Sequence, residues 1–139
     1  MLPLNPNQVK PLYQEALKLQ SKGQLDAAEQ RYRTILGVAP KLAEVHFQLG
    51  RIAATRQNYD EALAHLTRAR DLKPGEPAIW QQMAEVVAAT ADPARSRVFL
   101  QQAKSARLPT KLLLTLQQRL APRKASSKVA IGNARPQDI

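Results

Sequence analysis

Apolar residues recur at helical spacing in three successive units, each made of two stretches. Leu12, Leu19 and Leu25 then Tyr32, Ile35 and Leu36 mark the first unit; Leu49, Ile52 and Tyr59 then Leu63, Leu66 and Leu72 the second; Trp80, Met83 and Val87 then Phe99 and Leu100 the third. Steps of three, four and seven place such residues on one side of a helix, so each stretch predicts an amphipathic helix with one buried stripe. One helix pair alone cannot bury that much apolar surface. Stacked pairs can, and about 25 cal/mol per Å² of apolar area removed from water holds such an array together.

Residues of like chemistry return every 34 positions. Ala16, Gly50 and Ala84 form a column of small residues in the middle of the first helix of each unit, and Ala28, Ala62 and Ser96 form one in the second. Compact side chains on both partners allow the two axes to pack at the short end of the usual separation, about 8–10 Å. Tyr32, Leu66 and Leu100, and Ile35, Ala69 and Ala103, are further columns. Gln24, Asn58 and Asp92 fall where the chain must reverse; Asn58 and Asp92 can cap the helix that follows, and Pro93 suits its first position. Gly23 supplies a permissive backbone at the first reversal. Pro40 and Pro74 end the second helix of their units, because proline forces its predecessor out of helical geometry.

Composition agrees with an all-helical fold: aromatics are only 4% of 139 residues, while Ala, Leu, Gln, Arg and Lys recur throughout. That length suffices for one domain or a short array with a tail. The absence of cysteine excludes disulfides, thiolate metal sites and cysteine nucleophiles. No run approaches the roughly 20 apolar residues that span a bilayer, and Met1 to Lys10 contains no secretory apolar core, so a cytoplasmic location is expected. The net charge of +10 raises nucleic acid as a partner. Residues 9–42, 43–76, 77–110, 111–121 and 122–139 carry +3, 0, +2, +2 and +3, a thin spread rather than a phosphate-binding face. A basic helical nucleic-acid scaffold is therefore an alternative and not the leading reading.

Residues 43–76, with Leu49, Gly50, Tyr59, Ala62, Ala69 and Pro74 at signature positions, resemble a tetratricopeptide repeat. Residues 9–42 resemble the same repeat through Leu12, Ala16, Gly23, Ala28, Tyr32 and Pro40, with Glu15 where an apolar residue is usual. Residues 77–110 keep Trp80, Ala84 and Ala103 but carry Pro93 at an aromatic position and Pro109 one residue late, a degenerate third copy. The resemblance implies a right-handed superhelical stack of three pairs after an N-terminal extension, residues 1–8. Residues 111–121 follow Thr110, a candidate N-cap, and their Leu113, Leu116 and Leu120 form the stripe of a capping helix. From 122 to 139 the periodicity gives way to a basic tail, expected to be flexible.

A degenerate repeat, a leucine-rich cap, a basic linker and the ending Gly-Asn-Ala-Arg-Pro-Gln-Asp-Ile are together similar to the N-terminal region of bacterial tetratricopeptide proteins that carry a sulfotransferase domain. In that family a phosphate-binding loop follows the repeats. With five glycines and no Gly-rich strand-to-helix turn, this chain would be the non-catalytic, substrate-organising part, and Pro136 to Ile139 the start of another helix.

In such arrays the first helix of each pair lines a concave groove. The resemblance points to Lys10, Tyr13, Gln14 and Leu17, then Glu44, Phe47, Gln48, Arg51 and Thr55, then Ala78, Gln81, Gln82 and Glu85 as the partner-binding residues. Tyr13 and Phe47 are the aromatic anchors, and Gln48, Arg51, Gln81 and Gln82 the polar contacts for a peptide or helix. Repeats that bind chaperone tails use a Lys, Asn and Arg clamp; Tyr13, Leu17, Gln48, Ala78 and Gln82 occupy those positions here, so that clamp is absent. His46 and His65 have no third ligand at metal spacing, and His46 shares the packing column of Leu12 and Trp80. No acid, base and nucleophile are brought together by helical spacing, so neither a catalytic site, a metal nor a cofactor is expected.

Overall fold

The computed structural model describes residues 5–121; the tail at 122–139 and the first four residues of the extension lie outside the described residues. After a 3-10 turn at Pro6–Gln8, seven α-helices follow: α1 (Val9–Ser21), α2 (Leu25–Val38), α3 (Ala43–Thr55), α4 (Tyr59–Leu72), α5 (Pro77–Thr90), α6 (Pro93–Ser105) and α7 (Thr110–Arg119). The fold is all-helical, with α1/α2, α3/α4 and α5/α6 as successive pairs. Each second helix also packs against the first helix of the next pair, α2 on α3 and α4 on α5, and α7 packs on both α5 and α6.

Small residues set the helix separation. Ala16, Ala28, Ala62 and Ala84 are fully buried. At Gly50 a Cβ would stand 2.7 Å from Cγ of Leu66 and 3.2 Å from the carbonyl oxygen of Ala62, closer than a methyl group tolerates against a buried neighbour. Ser96 is only half-buried, and on α6 Phe99, rather than its neighbour Leu100, enters the core. The third pair thus keeps the columns at Trp80, Ala84 and Ala103 and departs from them at Ser96 and Leu100.

Two apolar clusters share α3. Val45, Leu49 and Ile52 face back onto Ala16, Ala28, Tyr32 and Ile35. Ala43 and Ala53 belong to the forward cluster, which runs through Leu66, Trp80 and Phe99 to Leu112 and Leu116. On α7 the fully or nearly buried leucines are Leu112 and Leu116; Leu113 and Leu120 of the expected stripe are half-buried against the same cluster.

The reversals between paired helices share one backbone device. Gly23, Gln57 and Ala91 are all left-handed, with φ of 79°, 63° and 55°. In the first two, the following amide closes the turn, Gln24 to the Leu19 carbonyl and Asn58 to the Ala53 carbonyl, both at 2.9 Å. In the third, the Thr90 hydroxyl donates instead to the Val87 carbonyl at 2.6 Å. Asp92 accepts from the Ala94 amide as a cap, with Pro93 first in α6. Asn58 makes no side-chain cap bond to α4. Thr110 is the first residue of α7 and Pro109 its cap, since proline's lack of a donor is harmless there.

A second bond recurs with the repeat. The Trp80 indole N–H donates to the Pro74 carbonyl at 2.7 Å, and one period earlier Nε2 of His46 lies 2.9 Å from the Pro40 carbonyl. A carbonyl only accepts, so Nε2 of His46 carries the proton. Its Nδ1 is then buried without a partner among the described residues. Each ring also leans on a ring of its own second helix, Trp80 on Phe99 at 5.6 Å and His46 on His65 at 6.3 Å between centroids.

Trp80→Phe keeps most of the packing but leaves the Pro74 carbonyl unpaired, and is expected to cost about 1–3 kcal/mol, against about 3–5 kcal/mol for Trp80→Ala. Urea unfolding followed by circular dichroism measures both; a Phe variant as stable as the parent would remove the hydrogen bond from the account.

Candidate peptide-binding face

Most of the residues expected to line the groove are accessible on the first helices. Lys10, Gln14 and Leu17 of α1, Glu44, Arg51 and Thr55 of α3, and Ala78, Gln81 and Glu85 of α5 are exposed, while Tyr13, Phe47 and Gln82 are half-buried. Gln48 is the exception, only 8% exposed. Its Nε2 donates to the Tyr13 hydroxyl at 3.4 Å, a long bond that ties α3 to α1, and its Oε1 accepts from Nη1 of Arg51 on the same helix at 3.4 Å. Gln48 therefore positions its neighbours, and its amide is not a free donor.

Around that amide the side chains form a connected patch. The Arg51 guanidinium lies 5.9 Å from the centroid of the Phe47 ring, a cation–π distance. Tyr13 tilts against Tyr32 at 5.8 Å, and the Tyr32 hydroxyl donates to Oε1 of Gln20 at 2.7 Å. Burial raises the Tyr32 phenol well above the ordinary tyrosine range, with Tyr13 adding to the shift and Arg51 opposing it. Tyr32 is thus a neutral, fixed floor beneath Tyr13. Arg51 has no carboxylate partner among the described residues and remains available.

Elsewhere the groove residues are already engaged. Glu44 pairs with Lys73 at 2.9 Å, and that hydrogen bond holds its carboxyl below the ordinary value. Thr55 turns its hydroxyl back to the Arg51 carbonyl at 3.0 Å. Glu85 pairs with Arg119, and Gln81 and Glu85 share a cleft of about 470 Å³ with Thr115, Gln118 and Arg119 of α7. The structure therefore brings together Tyr13, Phe47, Gln48 and Arg51, and places Gln81 and Glu85 beside α7.

The second-helix side differs along the stack. Between α2 and α4, Arg56 binds both Asp26 and Glu29, the latter at 2.6 Å, while Arg33 bridges Glu29 at 2.8 Å and Glu61 at 3.5 Å. Between α4 and α6 there is instead a cleft of about 350 Å³ lined by Leu63, Met83, Val87, Val98 and Phe99. Periodic reading of the first helices alone does not find this cleft; the signal was the apolar Val98 at an exposed position.

No helix among the described residues is long and apolar enough to cross a membrane, and no three His, Asp or Glu side chains among them gather as a metal site.

Two tetratricopeptide-repeat family profiles match, over residues 13–77 and 53–120. The chain belongs to the tetratricopeptide-repeat family. No curated protein matches it in sequence. Among solved structures, the Yersinia enterocolitica type III secretion chaperone SycD, in complex with a peptide of the translocator YopD, superposes with a TM-score of 0.72 at 16% identity, covering 88% of this chain and 96% of that one. PcrH in complex with the chaperone-binding region of PopD gives 0.73 at 18% identity, covering 91% and 98%. An O-GlcNAc transferase from Thermobaculum terrenum gives 0.65 at 24% identity, covering 85% of this chain and 21% of that enzyme. At these identities the likeness is one of tetratricopeptide fold.

Glu29 supplies a pH test of the second-helix side. The Arg56 hydrogen bond, reinforced by Arg33 and opposed by burial, holds its carboxyl below the ordinary 4.5. A lowered folded value stabilises the fold above pH 4.5 and loses that contribution as pH falls through the folded value. Glu29→Gln is expected to cost roughly 1 kcal/mol or less at pH 7 and to lose less stability than the parent on acidification below pH 4.5. Parallel acid limbs in urea titrations would contradict the pairing.

Proposed function

We propose that the chain is a non-catalytic interaction module that holds a peptide or helix of a partner protein on its first-helix face. The observation that carries this reading is the Tyr13–Gln48–Arg51–Phe47 patch. Its aromatic rings are pre-positioned, so little side-chain entropy is lost on contact, and Arg51, with no carboxylate partner among the described residues, offers its remaining N–H groups to a backbone carbonyl or carboxylate. SycD with a peptide of YopD, and PcrH with the chaperone-binding region of PopD, are proteins of the same fold that engage segments of other proteins, and they support the assignment. The transferase likeness supports a second setting for the same role, in which the repeats accompany a catalytic domain without doing its chemistry.

Arg51→Glu should leave the helical circular dichroism and the melting temperature nearly unchanged, since exposed substitutions usually shift stability within about 0.5 kcal/mol. Immobilised parent and variant proteins are then compared for what they retain from a native extract by quantitative mass spectrometry. Loss of the retained partner from the variant is expected, whereas equal recovery by both would remove the first-helix assignment.

A further inference from the structure

From Pro93 to Ala121 the chain carries six cations, Arg95, Arg97, Lys104, Arg107, Lys111 and Arg119, and no carboxylate. Arg95 is neutralised by Asp60 at 2.9 Å, and Arg119 by Glu85. The other four are exposed and have no ionic partner among the described residues. Arg97 and Lys104 stand two turns apart on α6; Arg107 and Lys111 flank the turn into α7. Counting charge by repeat unit hides this segregation, because Glu85 and Asp92 fall in the same unit as α6.

The same end of the stack has an unfinished apolar face. Ala88, Ala91, Pro93, Leu100 and Leu120 line a cleft of about 510 Å³ together with the charged Asp92, Arg97 and Arg119. Helix α7 takes the place of a first helix, packed on both α5 and α6, but among the described residues no second helix follows it. Leu114 shows the consequence. It stands one period after Trp80 and two after His46, and each of those side chains rests on a ring of its own second helix. Among the described residues Leu114 has no such cover, and it is 54% exposed.

We propose that the α6/α7 end is a second docking surface, which receives an acidic amphipathic helix of a partner protein. A helix is the occupant because a helix covers this column in the preceding pairs, and its apolar stripe would meet Leu114. It is acidic because four like charges without a counter-ion select, and steer, a complementary partner. Nucleic acid fits less well, because the ring systems of this end, Trp80 and Phe99, are buried and offer no face for base stacking. The surface is separate from the first-helix patch, so either assignment can fail without the other.

The test uses the full chain and fluorescein-labelled synthetic peptides of 14 residues, the length of α4. One has a leucine stripe at helical spacing flanked by glutamate, one has lysine for glutamate, and one is a scramble of the first. Fluorescence anisotropy should show binding of the glutamate peptide alone. Both the Lys104→Glu/Arg107→Glu variant and Leu114→Glu should weaken it at least about tenfold with unchanged circular dichroism, while Arg51→Glu binds as the parent does. The proposal is overturned if the scrambled or lysine peptide binds as well, if the charge-reversed variant retains full affinity, or if Arg51→Glu abolishes binding. It is equally overturned if a single-stranded oligonucleotide or phosphatidylserine vesicles bind more tightly than the glutamate peptide and depend on the same cations.

Discussion

The closest approach between paired helices is the constraint on which the rest of this structure depends. Gly50 leaves no room for a methyl group beneath Leu66 and the Ala62 carbonyl, and buried alanines hold the equivalent place on α1, α2 and α5. With the axes this near, large apolar side chains are driven to the two flanks of each first helix. On α3 one flank meets the first pair and the other the third, so the clusters become continuous through it. The first-helix face is then a by-product of packing: α1 and α3 lie close enough for Tyr13, Gln48 and Arg51 to touch.

Two periodic devices reinforce this geometry. A left-handed residue reverses each pair within a few positions, and a ring nitrogen on each later first helix reaches the proline carbonyl at the end of the previous pair. That second bond locks neighbouring pairs in register, since it fixes the first turn of one unit to the last turn of another. The imidazole at His46 performs the indole's bond with a smaller ring, at the expense of a buried Nδ1.

Much of the fold was legible because the small-residue columns and the proline stops report steric requirements local to one residue type. The paired helices, the reversal at Gly23 and the core position of Trp80 follow from them. The polar column marked the reversals at Asn58 and Asp92, but not the left-handed Gln57 and Ala91 before them, because neither is glycine. Gln48 reads as an exposed amide on a helical wheel, yet contact between α1 and α3 buries it. Ser96 and Leu100 are only half-buried, because on α6 the bulky Phe99 beside them fills the core against Trp80. Charge at the α6/α7 end was hidden by counting by unit, since Glu85 and Asp92 fall in the same unit as α6, and only the fold shows which of its cations are paired.

A double-mutant cycle on Gly50→Ala and Leu66→Ala measures the central contact most directly. Each change alone should destabilise, the first by crowding and the second by about 2–5 kcal/mol through a cavity. If the two residues meet as described, the added methyl group fills part of that cavity, and the pair should cost less than the two effects together by about 1 kcal/mol or more. Additive losses in urea unfolding would mean that α3 and α4 do not approach each other here, and the stack would need another basis.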